Sequence, residues 1–167
     1  MMFYVDGNDL LEHLRERSDP TVVEGDHTKS RHNLARWMAR YCEARDCRAV
    51  LVFDGQQPGE ALPPTGHFGR TTVTNLPYGE GALTEIAGPA NRSAVEERTF
   101  VVTADHRTAQ ALARGRATVL QPQQFIKQAR KFLRSDDQSL AQEPDEKFTT
   151  LTDPEVDFWE NYFKRKE

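Results

Sequence analysis

Apolar positions in this chain fall into short dense runs separated by amphipathic stretches. Residues 2–5, 49–53, 71–76, 99–102 and 117–120 are β-branched, aromatic or aliphatic and of strand length. The run 49–53 is nearly all apolar, as expected for a strand covered on both faces, and 71–76 alternates. Between the first two runs, Leu34, Trp37, Met38, Tyr41 and Cys42 recur at helical spacing and predict a helix from about 28 to 44. Its opposite face is expected to carry Arg31, Arg36 and Arg40.

Turn chemistry supplies the punctuation. Asp6-Gly7-Asn8 predicts a sharp loop after the first strand, with Asp9 capping a short helix that contains Leu10, Leu11 and Leu14. Residues 18–27 read as a polar loop, and residues 55–69, with Pro58, Pro63 and Pro64, as a long surface loop. A helix within 79–98 is expected to break at Gly88-Pro89. After the fourth strand, 107–114 predicts a helix with Ala109, Leu112 and Ala113 inward and Gly115 just past its end. Pro122 opens another, with Phe125, Ala129, Phe132 and Leu133 inward and Lys127, Arg130, Lys131 and Arg134 outward.

Strands alternating with helices imply an α/β fold with three layers and a mainly parallel central sheet, spanning residues 1–134. Residues 135–152 are charged and poor in large apolar side chains, so they read as an acidic linker. Asp153-Pro154 is a start signal for a C-terminal amphipathic helix over 153–167, with Val156, Trp159 and Phe163 in one stripe that either docks back on the domain or engages a protein or ribosomal partner.

Composition narrows the class. The chain has 167 residues, 37% hydrophobic and 29% charged, the size of one domain plus a tail. No stretch reaches the roughly 18 apolar residues of a membrane span and no signal-peptide pattern opens the chain, so the expected location is the cytoplasm. Cys42 and Cys47 are too few for a disulfide framework and lack C-x-x-C spacing; Cys42 reads as a small apolar residue on a buried helix face. The net charge of -4 conceals an asymmetry. From Arg107 to Arg134 there are basic residues at 107, 114, 116, 127, 130, 131 and 134 and no acid, whereas from 135 to 157 Lys147 alone stands against a run of acids. Such a division suits a polyanionic partner, or else two solvated faces.

The candidate chemistry lies where the strands end. Three apolar runs close on an aspartate: Asp6, Asp54 and Asp105. In open α/β sheets, ligands collect outside the carboxyl ends of the strands, and right-handed crossovers keep those ends on one side. Carboxylates without a His or Cys pattern suit a hard cation such as Mg²⁺ or Mn²⁺. The alternative is that each aspartate caps the helix after its strand. Thr103 could orient Asp105, and His106 is either a phosphate or base contact or an ordinary loop histidine. No phosphate loop, dinucleotide fingerprint or G-x-S-x-G elbow is present.

The ordered set Val5-Asp6-Gly7-Asn8, Val52-Phe53-Asp54-Gly55 and Val102-Thr103-Ala104-Asp105 resembles the YacP-like group of NYN domains among the PIN-like nucleases. The resemblance implies a PIN-like α/β/α fold and a metal-dependent endoribonuclease using Mg²⁺ or Mn²⁺. Asp6, Asp54 and Asp105 would be its acidic metal ligands and Asn8 a site-shaping polar residue. Members usually carry a further acid at the start of the helix between strands three and four. Here Ala82 or Leu83 occupies that place, with Glu80 and Glu85 nearby, so Glu80 is the candidate fourth acid. RNA would be drawn by Arg107, Arg114, Arg116, Lys127, Arg130 and Lys131. The alternative for the same fold is a catalytically weakened RNA-binding protein. A phosphatase with an aspartate nucleophile is a weaker third choice, because Asn8 stands where a D-x-D pair needs its second acid.

Overall fold

The computed structural model describes residues 1–17, 22–23, 25–56, 62–113 and 116–140. In chain order the elements are β1 (Met2–Asp6), α1 (Gly7–Glu16), α2 (His27–Ala44), β2 (Arg48–Gln56), β3 (Thr65–Phe68), β4 (Thr71–Pro77), α3 (Ala82–Glu96), β5 (Thr99–Val102), α4 (His106–Ala113), β6 (Thr118–Leu120) and α5 (Pro122–Leu140). The chain divides into a unit of Met1–Asp136, which holds the sheet and the helices packed on it, and a unit of Asp137–Glu167, of which only the end of α5 is described.

One sheet carries all the strands in the order β3-β4-β2-β1-β5-β6. Every neighbouring pair is parallel except β3 and β4. Period-two alternation splits the core accordingly. Phe3, Val5, Leu51, Phe53, Phe100 and Val102 pack against α1, α2 and α5 through Leu10, Leu14, Leu34, Met38 and Phe125. Tyr4, Val52 and Val101 point the other way, onto Ala82, Ile86 and Ala90 of α3 and Ala109 of α4. This is the expected three-layer arrangement. The order in which strands are added reverses between β1 and β5: from β1 the sheet grows one way through β2 and β4, and the chain then crosses back to add β5 and β6 on the other side, with α1 on one face and α4 on the other. A crevice at such a reversal is where α/β sheets place ligands.

Several local expectations are corrected. Asp6-Gly7-Asn8 is no loop: α1 begins at Gly7, and Asp6 rather than Asp9 is its N-cap, accepting from the backbone N–H groups of Asn8 and Asp9 at 3.1 Å. Gly7 is needed for close approach instead of left-handed backbone. A Cβ on it would lie 2.5 Å from the ring of Phe53. The segment 55–69 contains an edge strand, β3, joined to β4 through Gly69 at φ 52°. α3 runs unbroken through Pro89, because Ala82, Ile86 and Ala90 form a buried stripe on both sides of it. α5 continues to Leu140, into the stretch expected to be linker. Phe132 is 37% exposed and lies under the guanidinium of Arg45 instead of facing inward. Cys42 and Cys47 are both buried and free, and Thr71 donates its hydroxyl to Cys42 Sγ. The C-terminal stripe of Val156, Trp159 and Phe163, together with Arg114, lies outside the described residues.

Candidate active site at the carboxyl edge of the sheet

The acid-terminated strands β2, β1 and β5 are adjacent, so their carboxyl ends share one edge. Asp6 ends β1 and is 8% exposed. Burial is the main cause that lifts its pKa from 3.8 to about 7, followed by the charge of Asp9; the N–H bonds from Asp9 and Asn8 act against this, and Asp54 adds to it. The carboxylate thus sits beside two others with little solvent.

Asp54 lies beyond the apolar part of β2. Asn8 Nδ2 donates to its backbone oxygen at 3.1 Å and also to its Oδ1, while the N–H of Ala82, first residue of α3, reaches its Oδ2 at 3.3 Å. Arg31 Nη2 donates to the same backbone oxygen at 3.1 Å, with the guanidinium 5.1 Å from the centre of the Phe53 ring. Arg31 is 8% exposed, which corrects the expectation that it lies on the outer face of its helix. The signal was present: Arg31 precedes Leu34 by one helical turn and Met38 by two, so it belongs to the buried stripe.

Asp105 is held differently. Its carboxylate accepts from the N–H of Thr108 at 3.0 Å, and the bonds from Thr108, side chain before backbone, keep its pKa below the usual value. It is exposed and occupied with the start of α4. All three strand-end aspartates therefore meet a helix N-terminus: Asp6 that of α1, Asp54 that of α3 and Asp105 that of α4. The capping alternative is realised at all three, while Asp6 has the charges of Asp9 and Asp54 beside it.

Asp9 occupies the ground between β1 and β5. Its Oδ2 accepts from the Thr103 hydroxyl at 2.7 Å and from the Ala104 N–H at 2.6 Å, and Thr103 Oγ1 in turn accepts from the Asp105 N–H at 3.2 Å. Thr103 thus orients both acids, with its side chain wholly buried. Asp9 is the acid that inspection of the sequence misses, because its partners are more than ninety residues away in the chain. Glu80 is exposed just before α3, and its one described bond is a backbone N–H to Pro77 at 3.2 Å.

A cation would need oxygen donors, and their chemistry is present: Asp6 is a buried carboxylate with a raised pKa, and Asn8 Oδ1 is buried with no hydrogen-bond partner. In arrangement, however, no group of three or more His, Cys, Asp or Glu is gathered to hold a metal ion among the described residues. The engagement of Asp105 with Thr108 gives a physical reason for this.

The basic run is contiguous in sequence but divided by the fold. Arg107 lies on α4, against one face of the sheet, and Lys127, Arg130 and Lys131 lie on α5, against the other. Arg116 precedes β6, at the amino end of that strand. Arg107, Arg116, Lys127 and Lys131 are exposed and Arg130 is half-buried. His106 pairs its Nε2 with the Gln110 side chain at 2.8 Å.

The layered sheet and its acid-terminated central strands define a PIN-like α/β/α domain. The chain belongs to the YacP-like NYN domain family, whose sequence profile matches residues 3–164. Its fold is similar to two crystal structures of Rae1 (YacP) from Bacillus subtilis. One has a TM-score of 0.68 at 18% identity over 99% of this chain and 91% of that one. The other, a tryptophan-to-leucine mutant of that protein, gives 0.67 at 20% identity over 88% and 85% respectively. No functionally curated protein matches the chain in sequence. No helix among the described residues is long and apolar enough to cross a membrane.

Proposed function

We propose that this domain is an endoribonuclease that hydrolyses RNA phosphodiester bonds with a divalent cation, Mg²⁺ or Mn²⁺. The observation that carries the reading is Asp6: a buried carboxylate beside Asp9 and Asp54, at the reversal point of a sheet whose family is PIN-like. Asp6, Asp54 and Asp105 are the residues that would hold the cation. Bound there, it would supply an activated water and stabilise the departing oxygen. The chain's own residues do the positioning. Asn8 fixes Asp54 through its backbone and side-chain oxygens, and Arg31 fixes the same backbone from behind. Thr103 and Asp9 tie the end of β5 to α1, which sets the spacing between Asp6 and Asp105. Arg107, with Arg114, Arg116, Lys127, Arg130 and Lys131, would attract the RNA backbone, with affinity falling as salt rises.

The expected result is Mn²⁺-dependent cleavage of a structured RNA that is lost in Asp6→Asn. Cleavage persisting unchanged in that variant would overturn the assignment. A second reading, an RNA-binding domain without catalysis, is favoured by one observation, that the described acids are not gathered into a metal-binding group. Calorimetry separates the two, since the second reading requires intact RNA affinity with no Mg²⁺ or Mn²⁺ binding. For residues 141–167 we propose a protein partner and screening of the basic residues by the acidic stretch; an RNA affinity and salt dependence unaltered by truncation after Leu140 would refute the screening.

A further inference from the structure

We propose that the cleft between α2 and the β3–β4 hairpin receives one nucleobase of a single-stranded RNA, beside the phosphodiester that the ribonuclease reading above places at the acids. The cleft has a volume of about 140 Å³ and is lined by Arg31, His32, Leu62, Phe68, Val73 and Asn75, among others. Its wall is apolar and aromatic. Phe68 is half-buried, and the exposed ring of His32 meets it edge-on with centroids 5.1 Å apart. The Asn75 side chain donates to the Pro63 oxygen at 2.9 Å and its N–H to the Pro64 oxygen at 2.9 Å, which fixes the far wall.

Two observations select a nucleobase as occupant. Arg31 joins the cleft to the acidic edge, since it lines the cleft and also donates to the backbone oxygen of Asp54 at 3.1 Å. Its charge also suits a nucleotide: among the described residues the lining includes a guanidinium and an imidazole and no carboxylate. A second cleft, of about 190 Å³ on the β5–β6 side, is lined by Asp9, Glu12, His13 and Glu16 and would repel a phosphodiester. A strand crossing the edge would therefore seat a base on the β2–β4 side, where aromatic and guanidinium surfaces accept unstacked bases.

The test is binding of a fluorescein-labelled single-stranded RNA hexamer in EDTA, with each base in turn replaced by an abasic ribose. For the wild-type chain, one position is expected to lose about 5- to 150-fold in affinity, the range for one base stacked on an aromatic ring. In Phe68→Ala the intact hexamer should bind more weakly and that positional loss should vanish. Phe68→Trp should restore it, and His32→Ala, an exposed substitution, should reduce it. Identical positional profiles for wild type and Phe68→Ala would overturn the proposal, as they would if the cleft held a peptide. Failure of Phe68→Trp to restore the loss would overturn it as well. Absence of RNA binding by the wild type at low salt, both in EDTA and with Ca²⁺ in its place, would remove the ribonuclease reading itself, whereas unaltered binding by Phe68→Ala removes the cleft alone.

Discussion

Asp6 carries the sharpest consequence at the scale of single residues. With its pKa lifted from 3.8 to about 7 in the fold, it is neutral in both folded and unfolded chains at low pH and charged in both above 7. Between those limits the folded chain binds more protons, so the stability of the metal-free protein should fall as pH rises from 4 to 7, by up to about 4 kcal/mol. Urea unfolding of Asp6→Asn should show a flatter pH profile and a higher midpoint than wild type at pH 8. Gly7 gives a second prediction. Gly7→Ala would drive a methyl into the Phe53 ring, on which the Arg31 guanidinium rests, and should cost about 1–3 kcal/mol by thermal unfolding. The strand-end aspartates were legible in the sequence because a buried run closing on a carboxylate is a local signal. Asp9 was not, because its meaning depends on Thr103 and Ala104 far along the chain. Arg31 was legible by spacing but obscured by its charge.

The elements that departed from expectation did so where packing outweighs local preference. Pro89 lacks the N–H that would close the helical bond to Glu85, yet Ile86 and Ala90 are buried on either side and hold α3 together. Pro89→Ala should therefore raise stability by at least about 1 kcal/mol, read as a shift in the urea midpoint, with no change in the fold. β3 escaped notice because prolines precede it and Phe68 is its one large apolar residue, while its hydrogen bonds come from β4. By contrast, α2 and α5 were readable because their buried stripes repeat over several turns. Strand order could not be read locally at all, since it depends on β1 pairing with β5 across most of the domain.

At the scale of the whole molecule, the fold redistributes charge that the sequence presents as one block. α5 starts at the edge where β6 ends and runs away from it, so at 1.5 Å per residue Lys127 lies about 7 Å and Lys131 about 13 Å along its axis from Pro122. Arg107 sits in the first turn of α4, next to the acidic edge. Charge reversal should therefore have a graded effect: Arg107→Glu should weaken RNA binding most and lower the salt slope by about one, Lys127→Glu less, and Lys131→Glu least. Fluorescence titrations at several salt concentrations would measure the order. Equal effects at all three positions would mean that the RNA wraps α5 along its length. The bond from Thr103 to Asp9 also has a kinetic meaning. It spans more than half of the chain, so a polypeptide still emerging from synthesis has no completed acidic edge until β5 has been made and inserted beside β1. On the ribonuclease reading proposed above, a nascent chain would therefore be unable to cleave nearby RNA, its own template included, until the domain has closed.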